Sequence, residues 1–133
     1  MNDTKEIVAL LYEDVVDFHN KLEVSQEKIK GGIRDVGLIE SAVNAPFQSC
    51  FGQDAYPSIF EKAAHLGYFL AKNHGFEDGN KRTALHSMLL FLLVNDIELR
   101  YTQEEIENLI CDVANSEVSV EDLAEWLKTR AKK

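Results

Sequence analysis

The sequence predicts an all-α fold: a single-domain helical bundle around one buried central helix, with a short β-hairpin flap as its one departure. Three observations carry this. Apolar residues recur at helical spacing along most of the 133 residues. Only 2 prolines and 7 glycines punctuate the chain, too few for a loop-rich all-β module. Residues 84–94 contain only His86 and Ser87 as polar side chains, the pattern of a helix surrounded by protein.

Each element follows from local chemistry. Ile7, Leu11, Val15, Phe18 and Leu22 recur every three or four residues and share one face of a first helix. Gly31 and Gly32 break that pattern. A shorter helix runs through Leu38, Ile39, Ala42 and Val43. Pro46 should end it, because the residue before a proline is pushed out of the α region. Residues 47–57 hold Gly52, Pro57 and the aromatics Phe47, Phe51 and Tyr56, and are expected as a loop or short hairpin. Ser58 and Glu61 form a capping box that opens a helix reaching about Asn73. Residues 74–79 interrupt it with two glycines, and the apolar helix then runs from Asn80 to Asn95 and Asp96. Thr102 and Glu105 make a second capping box before the stripe Ile106, Leu109, Ile110 and Val113. Ser119 caps a last helix with Val120, Leu123, Ala124 and Leu127 inward. The tail Lys128, Arg130, Lys132 and Lys133 suits a helix C-terminus.

Composition removes several classes. A 45% hydrophobic and 28% charged chain is neither disordered nor collagenous. With 23 acids against 14 bases and a net charge of −9, binding to nucleic-acid phosphates is not expected. The most apolar run, residues 88–94, is far short of the ~20 residues that span a bilayer. The N-terminus has no basic stretch followed by an apolar one, so the expectation is a soluble, cytoplasmic protein without a membrane partner. Cys50 and Cys111 form no CxxC or zinc spacing and read as reduced thiols.

Chemistry concentrates in residues 74–83, His-Gly-Phe-Glu-Asp-Gly-Asn-Lys-Arg-Thr. A glycine-bearing loop feeds a helix N-terminus, whose unpaired amides and positive dipole end attract anions. Lys81 and Arg82 place two cations in the first turn, where they oppose the dipole unless an anion arrives. Such a local conflict marks functional sites. Asp78 is a hard oxygen ligand suited to Mg²⁺ carried by phosphates. His74 is the side chain here that can accept a proton near neutral pH. Phe76 is expected to plug the loop into the core.

The run His74-x-Phe76-x-Asp78-Gly79-Asn80-Lys81-Arg82 resembles the Fic/Doc (death-on-curing) signature H-x-F-x-D/E-G/A-N-x-R. Gly32-Ile33-Arg34-Asp35 through Gly37-Leu38-Ile39-Glu40-Ser41-Ala42 is similar to a second segment of death-on-curing proteins, and the resemblance spans roughly residues 5–100 of a chain read as one domain over 1–133. It implies a small all-α fold and a toxin-like enzyme using ATP and Mg²⁺ to phosphorylate a Ser or Thr hydroxyl of a protein, with elongation factor Tu as first guess. His74 would be the general base and Asp78 the Mg²⁺ ligand. Gly79, Asn80 and the helix N-terminus would cradle phosphate, with Lys81 and Arg82 neutralising it. Lys72 falls where death-on-curing proteins can carry an arginine and is a further phosphate candidate. Residues 47–57 would match the flap that pairs with an extended target segment.

Nucleotidyl-transferring Fic enzymes read G-N-G-R-x-x-R. Here Lys81 replaces the second glycine and Leu85 the last arginine, which resembles the phosphate-transferring branch, although Gly79 is the Fic choice. AMP transfer and a non-catalytic nucleotide- or peptide-binding module are the alternatives. The Fic restraining motif S/T-x-x-x-E-G/N is not satisfied; the nearest miss is Gln103 with Glu107 and Asn108. Restraint is therefore expected in trans, from a small antitoxin whose contact segment is neutral to basic.

Other motifs carry less. Residues 32–37 have P-loop glycine spacing but lack the Lys-Ser/Thr that must follow. Glu61 and His65 read as a helix-face pair, His86 as a satisfied core histidine and His19 as a surface one. The acids between Glu104 and Glu125 read as solvated helix faces, and Trp126 as packing beneath the last helix.

Overall fold

The computed structural model describes residues 6–23 and 31–132. The N-terminal leader reading, the start of the family resemblance and the last tail lysine fall partly or wholly outside these residues. The elements are α1 (Tyr12–Glu23), α2 (Val36–Asn44), a 3-10 turn (Ala45–Phe47), β1 (Ser49–Cys50), β2 (Gln53–Asp54), α3 (Ile59–Asn73), α4 (Asn80–Val94), α5 (Gln103–Ala114) and α6 (Val120–Thr129). The fold is thus helical with one small antiparallel hairpin, whose register pairs Ser49 with Asp54 and Cys50 with Gln53.

Caps define most boundaries. The predicted boxes at Ser58–Glu61 and Thr102–Glu105 are both formed, Ser119 accepts from the Asp122 amide, and Asp35 caps α2 through the Leu38 amide. The α-helix α2 stops before Pro46, but not for the expected reason: Ala45 stays in the right-handed helical region (φ −53°, ψ −42°), and the chain tightens into a 3-10 turn in which Pro46, lacking an amide, is tolerated near the start. The stripes of α5 and α6 are inward as expected: Ile106, Leu109, Ile110, Val113, Leu123 and Leu127 are buried.

The first helix is shorter than its stripe. The Asp14 carboxylate accepts from the Leu11 amide, which fixes the helix start after Leu11. Residues 6–11 belong to no helix or strand, and the Asn95 side-chain amide pairs with Val8 in both directions, at 2.7 and 2.9 Å. Ile7 and Leu11 are consequently exposed, Leu11 by 58%. His19, read as a surface residue, is instead fully buried beside Val15 and Leu22.

The centre of the bundle is α3, not α4. It packs against α2, the 3-10 turn, α4, α5 and α6. A small residue helps here: a Cβ on Gly67 would sit 2.7 Å from Met88 Sδ, so the Met88 side chain of α4 packs directly on the Gly67 backbone. Lys62 and His65, both buried on α3, hide its central place in a hydropathy reading. The apolar α4 buries Ala84, Leu85, Met88, Phe91 and Leu92 but leaves Leu90, Leu93 and Val94 exposed. His86 also lies on that open side, stacked on Phe18 with ring centroids 4.4 Å apart, and is not a core histidine.

Around the core, the Arg130 guanidinium lies 4.6 Å from the centre of the Trp126 ring and pairs with Glu105. No described helix is long and apolar enough to cross a membrane.

Candidate active site

His74 is the C-cap of α3 in the left-handed conformation, with φ 53° and ψ 48°. That region is uncommon for a residue with a Cβ. Here it is over-determined. The His74 carbonyl accepts from Arg34 Nε at 2.7 Å, and the next residue must be glycine because a Cβ on Gly75 would meet Ile39 at 2.5 Å. The helix therefore stops abruptly and hands the imidazole to solvent at the edge of a cleft.

The loop that follows is strapped from several sides. Ile33 and Phe76 form an antiparallel bridge, the Arg34 and Asp35 amides donate to Gly75 O at 2.8 and 3.0 Å, and Glu77 N donates to Gly32 O at 2.9 Å. This is what residues 32–35 do: the P-loop-like spacing belongs to a main-chain strap and to the Asp35 cap. Phe76 is buried as expected. Asn80 clips the loop shut, its Oδ1 accepting from Phe76 N and its Nδ2 donating to Phe76 O. From α1, the His19 ring stacks on Phe76 with centroids 3.8 Å apart, and its Nε2 lies 2.7 Å from Asp78 O. A carbonyl only accepts, so His19 carries its proton on Nε2.

Beyond the loop, α4 begins at Gly79, φ 79°, with no side-chain cap. By contrast, α2, α3, α5 and α6 are each capped by a side chain. No side-chain cap covers the start of α4, whose positive end faces the cleft. The cleft has a volume of about 690 Å³ and is lined by His74, Asp78, Gly79, Asn80, Lys81 and Arg82. These were proposed from sequence and the fold brings them together. The Asp78 carboxylate, exposed, accepts from Gly79 N at 2.8 Å. Asn80 lines the cleft, but because its side chain is committed to Phe76, what it offers a phosphate is its main-chain amide.

Lys72 is not brought there. Its ammonium donates to Ser116, next to the cleft-lining Asn115, and lies over the Tyr68 ring at 5.7 Å. It stands two positions before His74, about 200° round the helix, which turns it to another face.

The opposite wall was not read from sequence. It comes from α5, through Glu107, Ile110, Cys111 and Asn115, while Leu85 adds an apolar patch where the nucleotidyl-transferring signature has arginine. Spacings of three and four in α5 would have shown that these residues share a face; nothing local says that this face looks at α4. Glu107, noted only as part of a near-miss motif, is held by Gln103 at 2.7 Å. Cys50 and Cys111 are free thiols.

Among the described residues no group of three or more His, Cys, Asp or Glu side chains could hold a metal ion. A divalent ion fits at Asp78 only in a mode where phosphate oxygens and water complete its shell, which is how Mg²⁺ usually binds.

A small helical bundle that raises a histidine beside an uncapped, cation-flanked helix N-terminus presents a base next to an anion-attracting helix end. The chain is a member of the Fic/DOC family, whose sequence model matches residues 5–92. It is 38% identical over 94 residues to "Toxin Doc" of Mycolicibacterium smegmatis, covering 69% of this chain and 72% of that protein. It is 30% identical over 116 residues to "Protein kinase doc" of Escherichia phage P1, covering 87% and 90%. The helices α5 and α6 lie beyond the family match, so the α5 wall of the cleft is contributed from outside it.

Proposed function

We propose that this protein is a toxin-like, Mg²⁺- and ATP-dependent kinase that phosphorylates a Ser or Thr hydroxyl of a protein target, with elongation factor Tu as the first target to test. The observation that carries the reading is the convergence of His74, Asp78, Lys81 and Arg82 on one cleft at the uncapped start of α4. The kinase named among its relatives supports phosphate rather than nucleotide transfer, as do Lys81 and Leu85 in place of glycine and arginine.

In this reading the triphosphate lies against the α4 amides, with Lys81 and Arg82 balancing its charge. His74 takes the proton from the target hydroxyl. The freed oxygen attacks the γ-phosphorus, the bond from that phosphorus to the β–γ bridging oxygen breaks, and ADP leaves. Mg²⁺, when bound, supplies charge neutralisation on the phosphates, and Asp78 is the residue that would hold it. The exposed hairpin β1–β2 would pair with an extended stretch of the target. Restraint would come from a small antitoxin acting in trans.

Label transfer tests the reaction. With elongation factor Tu present, γ-labelled ATP should mark the target and α-labelled ATP should not. Label from α-labelled ATP would convert the assignment to AMP transfer. ATP binding without either label, and without growth arrest on expression, would leave a binding module.

A further inference from the structure

Lys62 is among the largest of the fully buried side chains. It lies in the first turns of α3, beneath the hairpin. Its ammonium donates to Pro46 O at 3.3 Å, to Tyr56 O at 2.7 Å and to Asp54 Oδ2 at 3.2 Å. An ammonium has three protons and no acceptor capacity, so these three partners satisfy it fully. The Phe47 ring centre lies 5.5 Å from the same nitrogen. One charge therefore gathers both stems of the 47–55 excursion, residue 46 on the way out and residue 56 on the way back, together with a side chain of β2.

Packing alone does not ask for a lysine here. The Lys62 side chain is 2% exposed and its counter-ion Asp54 is 59% exposed, an asymmetric pair in which the buried partner bears the desolvation. An apolar side chain would fill the volume without it. The hairpin, on the other hand, has little of its own to hold its shape. Its strands are two residues each, and their burial pattern is exposed throughout. The turn residues Phe51 and Gly52 both have positive φ, 53° and 78°. One further main-chain bond, Ala55 N to Gln48 O at 2.9 Å, extends the ladder. Two-stranded ribbons of this size are not stable on their own. One turn along α3, His65 adds a second grip: its ring stacks on Tyr56 at 3.4 Å while its Nδ1 bonds to Glu61 O at 2.7 Å. The helix-face pair expected of Glu61 and His65 is thus a main-chain contact that aims the imidazole at the hairpin stem.

We propose that Lys62 is a positioning residue for target recognition, its buried ammonium clamping both hairpin stems to α3 so that an exposed strand edge is preset to receive an extended target segment. This rests on the reading of the hairpin as the target-docking element. Preorganisation lowers the ordering cost of docking, so a loosened hairpin should weaken target engagement and leave nucleotide binding alone.

The test uses the full chain with Lys62→Met and, as a milder change at an exposed position, Asp54→Asn. Hydrogen exchange at the Ala55 amide should quicken at least tenfold in Lys62→Met and about threefold in Asp54→Asn, with α4 amides unchanged. Calorimetric ATP affinity should stay within twofold, while growth arrest on expression, present for the wild type, is lost in Lys62→Met. If Lys62→Met does not fold, Asp54→Asn carries the same comparison. Unchanged Ala55 exchange in the folded variants would overturn the clamp. A loosened hairpin with full growth arrest would overturn its part in recognition. A wild type that causes no arrest would instead overturn the toxin reading, and with it the recognition role.

Discussion

Nε2 of His19 donates to the main-chain oxygen of Asp78 at 2.7 Å, across a separation of 59 residues. Through this bond and the stack on Phe76, α1 sets the height of the loop between His74 and the start of α4. His19 grips that loop through the Asp78 carbonyl and the Phe76 ring, so it positions the site rather than acting in it.

His19→Phe should keep the stack and delete the hydrogen bond. Leaving this part-buried carbonyl without its donor costs at most about 1–3 kcal/mol, visible as a lower urea midpoint. Phosphate transfer should fall by roughly tenfold or more, since small misplacement of reacting groups is expensive. Unaltered stability and rate would mean that the bond does not hold the loop.

His74→Ala should reduce transfer by about 10²–10⁴-fold while ATP binding stays near that of the wild type, and it should relieve growth arrest. His74→Gly should be equally inactive yet more stable than His74→Ala by about 1 kcal/mol, because glycine adopts the left-handed conformation without the Cβ penalty. Comparison of the two melting curves checks the second part; equal midpoints would show that no strain resides at this residue.

Arg82→Ala should weaken ATP binding by about 1.5–3 kcal/mol, the range for hydrogen bonds to charged groups. Asp78→Ala should abolish activity together with its Mg²⁺ dependence. Isothermal titration with and without Mg²⁺ distinguishes the two, and an unchanged affinity in the Arg82 variant would move the phosphates elsewhere in the cleft.

Glu107→Gln should tighten ATP binding by about two- to fivefold at low salt, because a carboxylate in the same cleft repels the triphosphate and the effect is screened as salt rises. Binding isotherms at two ionic strengths measure it. A loss of affinity would show Glu107 contacting the ligand directly.

Stability should also carry an acid signature at Glu105. The Arg130 hydrogen bond, then the Thr102 amide, hold its carboxyl below the ordinary value. A depressed value in the folded state contributes stability above the unfolded value of about 4.3, which is lost as pH falls through the folded one. Glu105→Gln preserves the capping box and should flatten the acid limb of the stability curve below about pH 4.3. An acid limb identical to wild type would remove Glu105 from that account.

Much of this protein was legible before folding was considered. Capping boxes at Ser58 and Thr102, the stripe of α5, the stop at Pro46 and the hairpin between Phe47 and Pro57 depend on neighbours a few residues apart, and so does the loop–helix junction of residues 74–83. Their physics is local hydrogen bonding and helical periodicity, both written in sequence order. Tertiary structure decided the rest. It buried His19 and Lys62, because a polar side chain's partners, Asp78 O for one and Pro46 and Tyr56 O for the other, are main-chain atoms that no residue type advertises. It turned Lys72 to Ser116 and set Glu107, Cys111 and Asn115 across from His74, because which helix faces meet is fixed by packing around α3, where Gly67 lets Met88 approach. Sequence determines the local conformations and the reactive groups; only the packed bundle determines which of those groups share a cleft, since that depends on distances between residues far apart in the chain.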